Sequence, residues 1–302
     1  MEEDYNIGKR VNRIGFSLLA MVLAIFISQV LIDFLVKMIA PDLKATDWYI
    51  WAVTAITMVG IGLPVIYSIG RSIPSYNQGE VKKLKLSEFG MIFIISAALM
   101  YVSNYVGVFI NLLISMLIGR PLITSFQDII LNSNMLFTFL YGCIVAPIVE
   151  ELIFRKLLLS KLRYYGDLPA ILYTGIAFGL IHMNLSQFFY ATTLGIVFAY
   201  VTIRTNTIKY SIILHMMINF IGGVIAPLVL KSQNLGVIML IGIWVITAIT
   251  LGIVLLILNF KKIKLVKPPM AIQRKSVFLF NIGTVLFIGF CMVNMALSIL
   301  NS

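Results

Sequence analysis

Long apolar runs separated by short polar connections make up almost the whole chain. A membrane-crossing helix needs about 20 apolar residues. The sequence contains nine such candidates, at residues 14–39, 48–70, 89–118, 134–160, 168–184, 187–203, 208–230, 236–260 and 276–300. The longest polar connections are residues 71–88 and 261–275. The pattern therefore predicts an all-α fold, a polytopic transmembrane bundle of about nine helices.

Composition supports a membrane protein rather than a large soluble core. Of the 302 residues, 60% are hydrophobic and 12% are charged, and the mean hydropathy is +1.01. Soluble domains are about 45–50% apolar and about 25% charged. The first apolar run is too long for the apolar region of a signal peptide and lacks a small-residue cleavage site, which favours a retained span.

The net charge of +11 raises the alternative of nucleic-acid binding, but the distribution of the charges argues against it. With a cytoplasmic N-terminus, nearly all basic residues fall in cytoplasmic segments. The exceptions are Lys37, Lys44, Arg120 and Lys231. This is the positive-inside pattern. It predicts a multi-pass protein of a cell membrane, in which the basic loops contact anionic lipid.

Few ionisable or strongly polar groups lie deep within the predicted spans. They are Glu150, Glu151 and Arg155 in the fourth, His182 in the fifth, and His215 and Asn219 in the seventh. The two histidines are the only ones in the protein. Such residues are costly in a bilayer and mark functional sites by default. Asp33 and Lys37, four residues apart near the end of the first span, can pair with each other or extend toward the membrane surface, and they are interpreted instead as structural.

The glutamate doublet divides into two roles. Glu151 and Arg155 are four residues apart and face each other on a helix, so they can form an ion pair. Glu150 points about 100° away, and an unmatched carboxylate in apolar surroundings is a candidate general base. Pro147 removes one helical hydrogen bond and frees the carbonyl of Cys143. A kink beside a buried carboxylate favours a cavity.

Two further patterns place polar groups on one helix face. Phe178 and His182 are four residues apart, and so are His215 and Asn219. A zincin helix would carry two histidines at this spacing with a glutamate between them. Here the second position is an asparagine, a poor zinc ligand but a good donor, which favours an oxyanion hole.

Together these patterns resemble the three motifs of the CPBP family, the CAAX-prenyl endopeptidases and bacteriocin-processing enzymes, also called the Abi family. The motifs read EELIFR at 150–155, FGLIH at 178–182 and HMMIN at 215–219. The resemblance covers about residues 134–225. It implies an intramembrane protease whose catalytic helices span 134–230, flanked by transmembrane helices at 1–133 and 231–302.

The resemblance also implies roles for individual residues. Glu150 with His182 would activate the attacking water, and His215 with Asn219 would stabilise the oxyanion. Glu151 and Arg155 would support the site, and Phe178 would shape the pocket. A metal-free reaction is the favoured interpretation. The alternative is a zinc ion held by Glu150, His182 and His215.

The predicted substrate is a membrane-associated peptide or protein, and the predicted role is peptide processing or bacteriocin immunity in a bacterial cytoplasmic membrane. Two other functions stay open. A non-catalytic membrane scaffold would share the fold, and a proton-coupled transporter would also bury glutamate and histidine. The depth of His182 is a difficulty, because a full-length fifth span would separate it from Glu150. That span is therefore expected to be short, tilted or broken.

Overall fold

The computed structural model describes residues 2–76, 79–122, 133–267 and 280–300, and within these ranges all regular structure is helical. The first residues of the predicted span 276–300 lie outside the described ranges. The helical runs, numbered in chain order, are α1 (Glu2–Ile39), α2 (Tyr49–Gly70), α3 (Leu86–Ile118), α4 (Met135–Tyr165), α5 (Asp167–Leu180), α6 (Leu185–Thr205), α7 (Lys209–Ser232), α8 (Leu235–Lys262) and α9 (Ile282–Leu300).

The prediction of a polytopic helical bundle is confirmed. Within the described ranges, eight helices are long and apolar enough to cross a membrane. The fifth predicted span is the short helix α5, whose 14 residues extend about 21 Å at roughly 1.5 Å per residue. A bilayer core is about 30 Å thick, so α5 is too short to cross it, and His182 follows two residues after the end of this short helix. The side of the membrane that holds the N-terminus stays a prediction, as does the division into three sets of helices.

The start of α5 is fixed by a polar network rather than by apolar packing. Asp167 is buried, and Arg163 Nε lies 3.0 Å from its Oδ1. The backbone N–H of Val266 donates to Asp167 Oδ2 at 2.8 Å, and the backbone N–H of Asp167 donates to the Val266 carbonyl at 3.1 Å. These contacts connect α5 to the chain that follows α8.

Close helix crossings set the position of α5 against α6. A Cβ on Gly175 would lie 2.7 Å from the side chain of Ile196, and one on Gly179 would lie 2.8 Å from the carbonyl oxygen of Phe188 and overlap Thr192 Oγ1. Small residues let transmembrane backbones approach in this way. The two helices are thus held together directly beside the first and second motifs.

The described ranges contain four π-helical stretches, and three of them precede a proline. These three are Ile56–Gly62 before Pro64, Thr138–Val145 before Pro147, and Ile221–Ile225 before Pro227. The fourth, Leu152–Leu159, has no proline directly after it. Proline lacks the backbone N–H and crowds the preceding turn, and a wider turn relieves that crowding. Wider turns also release backbone groups, and π-bulges are frequent at functional sites.

The contact that the sequence suggests between Asp33 and Lys37 is not formed. The Asp33 carboxylate accepts hydrogen bonds from Lys44 Nζ at 2.8 Å and from the Tyr49 hydroxyl at 2.6 Å. The connection after α1 folds back and brings both donors to the end of the helix. Two contacts from the following residues therefore replace the expected pair within α1.

Candidate active site

A buried ion pair lies at the centre of the bundle. The side chains of Glu151 and Arg155 are both fully buried, and Arg155 Nη1 lies 3.0 Å from Glu151 Oε1. Arg155 Nη2 also donates to the carbonyl oxygen of Gly195 on α6 at 3.2 Å. The spacing of four residues predicts this contact. Because charges buried in an apolar bundle are tolerable only when paired, the two side chains depend on each other.

Three aromatic rings surround the guanidinium of Arg155. Its Cζ lies 4.6 Å from the ring centre of Phe178, 5.6 Å from that of Phe198 and 5.9 Å from that of Phe154. Such cation–π contacts strengthen when water is excluded. Phe178 belongs to the second sequence motif and Phe154 to the first. Phe198 lies outside the motifs, and only the packing of α6 places it here.

His215 of α7 lies between the two glutamates of α4. Its Nδ1 is 3.1 Å from Glu151 Oε1, and its Nε2 is 3.5 Å from Glu150 Oε2. The second distance is longer than a hydrogen bond. The side chain of Glu150 is 14% exposed, whereas that of Glu151 is 0% exposed. The doublet therefore contains one fully buried carboxylate and one that is partly exposed beside His215.

His182 follows the end of α5 and packs against the same aromatic ring as His215. Its Nδ1 lies 2.8 Å from the carbonyl oxygen of Phe178. Since a carbonyl oxygen can only accept, Nδ1 carries the proton and Nε2 has a free lone pair. The Phe178 ring is in edge contact with both histidines, at centroid distances of 5.1 Å to His182 and 5.6 Å to His215. The three sequence motifs thus meet around one aromatic ring.

Asn219 makes a contact that the sequence did not predict. Its Nδ2 donates to the carbonyl oxygen of Gly142 at 2.8 Å. In the π-helical turn of α4, the N–H of Ala146 bonds five residues back, to Tyr141. Pro147 has no N–H, so the next carbonyl in that register, Gly142, is available for Asn219. In a regular α-helix, Pro147 would leave the carbonyl of Cys143 free. In this π-helical turn the carbonyl that accepts from Asn219 is instead that of Gly142, one residue earlier.

Two tyrosines near Glu150 were missed by reasoning from the sequence. Glu150 acts electrostatically on His182, on Tyr141 of α4 and on Tyr190 of α6. The hydroxyl oxygen of Tyr190 accepts a hydrogen bond from Gln187 Nε2 at 3.1 Å. No spacing rule relates Tyr190 to Glu150, since the separation of the two residues depends on how α6 packs beside α4.

The side chains present do not fit a metal centre in this arrangement. Within the described ranges, no group of three His, Cys, Asp or Glu side chains is placed to hold a metal ion. Both ring nitrogens of His215 are directed at carboxylates. The alternative zinc set of Glu150, His182 and His215 is therefore not assembled as ligands here.

Comparisons with known proteins give a family match to the part of the chain that holds this site and a match to one curated protein. The family model of the type II CAAX prenyl endopeptidase Rce1-like proteins matches residues 132–221. A curated protein of Bacillus subtilis (strain 168), named "Putative membrane peptidase YdiL", is 36% identical over 77 residues, which are 25% of this chain and 32% of that relative. The chain thus matches about a third of the relative's length. No solved structure gives a significant match.

The family model and the three motifs have the same location in the chain. The family model includes Glu150, His182 and His215 within its range, and it also reaches Asn219. The flanking helices α1–α3, α8 and α9 lie outside the matched range. The chain is a multi-pass membrane protein, and its resemblance to the CPBP family, inferred from the motifs, is confirmed over residues 132–221 by the Rce1-like model.

Proposed function

We propose that this protein is a membrane endopeptidase that hydrolyses a peptide bond with a water molecule activated by Glu150. One observation carries the proposal. Glu150 is the partly exposed member of a carboxylate pair whose other member is fully buried, and it faces histidines from two further helices. A carboxylate placed in this way has the surroundings expected of a general base.

In this proposal, His182 orients the water that Glu150 activates. The Phe178 carbonyl fixes the proton on Nδ1 of His182, which leaves Nε2 free to accept a hydrogen bond from water. Glu150 removes the other water proton as the water oxygen attacks the carbonyl carbon. The electron pair of the C=O bond moves onto oxygen and forms an oxyanion.

The second half of the reaction returns the proton. When the tetrahedral intermediate collapses, the C–N bond breaks and protonated Glu150 gives its proton to the leaving amine nitrogen. The products are a carboxylic acid and an amine, which become a carboxylate and an ammonium group when the acid gives its proton to the amine, so water is the only co-reactant. His215 and the second N–H of Asn219 are proposed as donors to the oxyanion. Glu151 and Arg155 are proposed to hold α4 in place against α6 and α7.

The proposed substrate is a membrane-associated peptide or protein, and the membrane lipid is the proposed surrounding partner. The proposed location is a bacterial cytoplasmic membrane, with a role in peptide processing or bacteriocin immunity. The family description and the relative's name both concern peptide-bond cleavage. They support the reaction class and leave the choice of substrate to experiment.

The test compares new peptide termini in membranes from cells that carry the wild type, Glu150→Gln or the control Glu80→Gln. Glu80 is an exposed residue of the loop between α2 and α3. We expect a set of termini that is present with the wild type and the control but absent with Glu150→Gln at equal abundance. Identical termini in all three samples would overturn the proposal and favour a non-catalytic scaffold.

A metal-free reaction is proposed because Nδ1 of His215 is engaged by Glu151 and because, within the described ranges, no three His, Cys, Asp or Glu side chains are grouped as metal ligands. Treatment with a strong zinc chelator should therefore leave cleavage by the purified protein unchanged. Loss of cleavage that added zinc restores would contradict this part of the proposal.

A further inference from the structure

Helix α3 directs three residues at α6, although α3 lies outside the range that the family model matches. Ser103, Gly107 and Asn111 are four residues apart and therefore share one face of the helix. Ser103 Oγ donates to Thr193 Oγ1 at 2.8 Å, and Asn111 Nδ2 donates to Ser186 Oγ. Such hydrogen bonds hold helices together in a bilayer, where apolar contact gives no preference over lipid. The crossing of α3 and α6 thus has two side-chain bonds of the same kind, one of them at the start of α6.

The contact at the start of α6 is close and shielded from water. A Cβ on Gly107 would lie 3.0 Å from the carbonyl oxygen of Ser186, so glycine lets the two backbones approach. Ser186 is 8% exposed. The neighbours of Asn111 on α3 include Phe109 and Leu112, which are 59% and 50% exposed. A polar side chain in such an apolar, outward-facing stretch is costly and marks a function by default.

Ser186 belongs to the tight turn that carries His182. Only three residues separate them. Met183 has a φ of 48°, a left-handed conformation that reverses the chain directly after His182. Asn184 then caps α6 by accepting from the backbone N–H of Gln187 at 3.2 Å. Because the turn is short and internally bonded, a displacement at Ser186 is passed on to His182.

His182 is therefore held from two sides. On α5, the Phe178 carbonyl accepts from Nδ1 at 2.8 Å and fixes the rotation of the ring. At the start of α6, the turn sets where the backbone of His182 lies. The bond from Asn111 to Ser186 connects this turn to α3.

We propose that Asn111 is a positioning residue, which holds the turn through Ser186 and so keeps Nε2 of His182 where it orients the attacking water. This inference rests on the proposed peptidase function. Asn111 acts through the turn, and Gly107 assists by letting α3 approach it. Reacting groups need this support, since a misplacement of about 1 Å can cost about 10²-fold in rate.

The test compares two changes that each delete one hydroxyl from one bond between α3 and α6. Ser186→Ala breaks the bond from Asn111 at the turn, whereas Ser103→Ala breaks the bond to Thr193, eight residues earlier on α3. Asn111→Leu removes the amide at a similar side-chain volume. For each purified full-length protein, kcat and KM are measured on a synthetic peptide that spans a cleavage site mapped by the terminus comparison. The temperature of unfolding is measured in parallel.

We expect Ser186→Ala and Asn111→Leu each to lower kcat by about 10-fold with KM unchanged, because a displacement of less than 1 Å costs less than the full effect. Ser103→Ala should keep the wild-type kcat, although the loss of a similar hydrogen bond should lower its unfolding temperature by a similar amount. A double variant of Asn111→Leu with Ser186→Ala should lose no more kcat than either single variant, because both changes break the same contact.

Equal kcat values in Ser186→Ala and Ser103→Ala would overturn the inference, whether both are at the wild-type level or both are lowered. Losses that multiply in the double variant would also overturn it, since Asn111 and Ser186 would then act separately. In either case the peptidase function stands as long as cleavage depends on Glu150. If no cleavage depends on Glu150, both the function and this inference fail.

Discussion

Helices α6 and α8 differ in both polarity and burial, and the more polar helix, α6, is the more buried of the two. In α6, 56% of the most apolar stretch is buried within the protein, whereas in α8 the figure is 11%. The buried part of α6 nevertheless includes four polar side chains: Ser186, Gln187, Thr202 and Thr205. The buried residues of α8 are Ala248 and Gly252.

This difference follows from the solvent. Lipid tails are as apolar as leucine, so an apolar helix gains nothing by leaving the lipid, and close packing and hydrogen bonds drive helices together. The polar helix is therefore inside, and the most apolar helix faces the bilayer. The catalytic proposal depends on this arrangement, because the interior provides Glu150 with fixed neighbours and little water.

The largest expected effect on stability comes from the buried ion pair. Glu151→Gln removes the partner of a fully buried guanidinium, which costs about 3–5 kcal/mol. We expect much lower protein levels and a lower free energy of unfolding in detergent micelles. Lys156→Gln, a change to the exposed residue next to Arg155, serves as the control and should behave like the wild type.

A double variant sharpens that prediction. Replacing Glu151 and Arg155 together by leucine removes both charges, so the protein should recover much of its stability. Wild-type stability in Glu151→Gln alone would show that the pair does not hold the interior together.

A smaller effect is expected where α5 crosses α6. Gly179→Ala places a Cβ 2.8 Å from the Phe188 carbonyl and against Thr192 Oγ1, and such overpacking costs about 1–3 kcal/mol. Gly242→Ala is the matched control on α8, where a Cβ meets nothing within 4 Å. It should be neutral or stabilise the helix by up to about 1 kcal/mol. Equal effects of the two changes on thermal unfolding would contradict the comparison of the helices.

The smallest effect is expected near the C-terminal end of α1. The Asp33 side chain is 49% exposed and pairs with Lys44, and exposed pairs contribute about 0–1 kcal/mol. Asp33→Asn should therefore lower the free energy of unfolding by less than about 1 kcal/mol. The control is Lys37→Gln, whose exposed side chain should be dispensable. A loss from Asp33→Asn as large as that from Glu151→Gln would show that this charge is buried as deeply as the interior pair.

Local periodicity predicted the features that depend on one helix. Apolar runs located most of the helices to within about five residues, although α1 begins twelve residues before the first predicted span. The four-residue spacing of Glu151 and Arg155 predicted their contact. Asp33 and Lys37 have the same spacing but do not pair, because Lys44 returns from the following connection and is the partner instead. A spacing rule identifies a possible contact and leaves the competition from other segments undetermined.

Contacts between helices could not be predicted from the sequence. The position of His215 between two carboxylates depends on how α7 packs against α4. The bond from Asn219 to Gly142 depends in addition on the π-helical register before Pro147.

The central claim is that Glu150 activates the water that cleaves a peptide bond. Its most direct test uses purified wild type and Glu150→Gln, each reconstituted in lipid vesicles, with a peptide that spans a mapped cleavage site. The account predicts cleavage by the wild type and none above background by Glu150→Gln, although both proteins unfold at the same temperature. Cleavage at equal rates by the two proteins would contradict it.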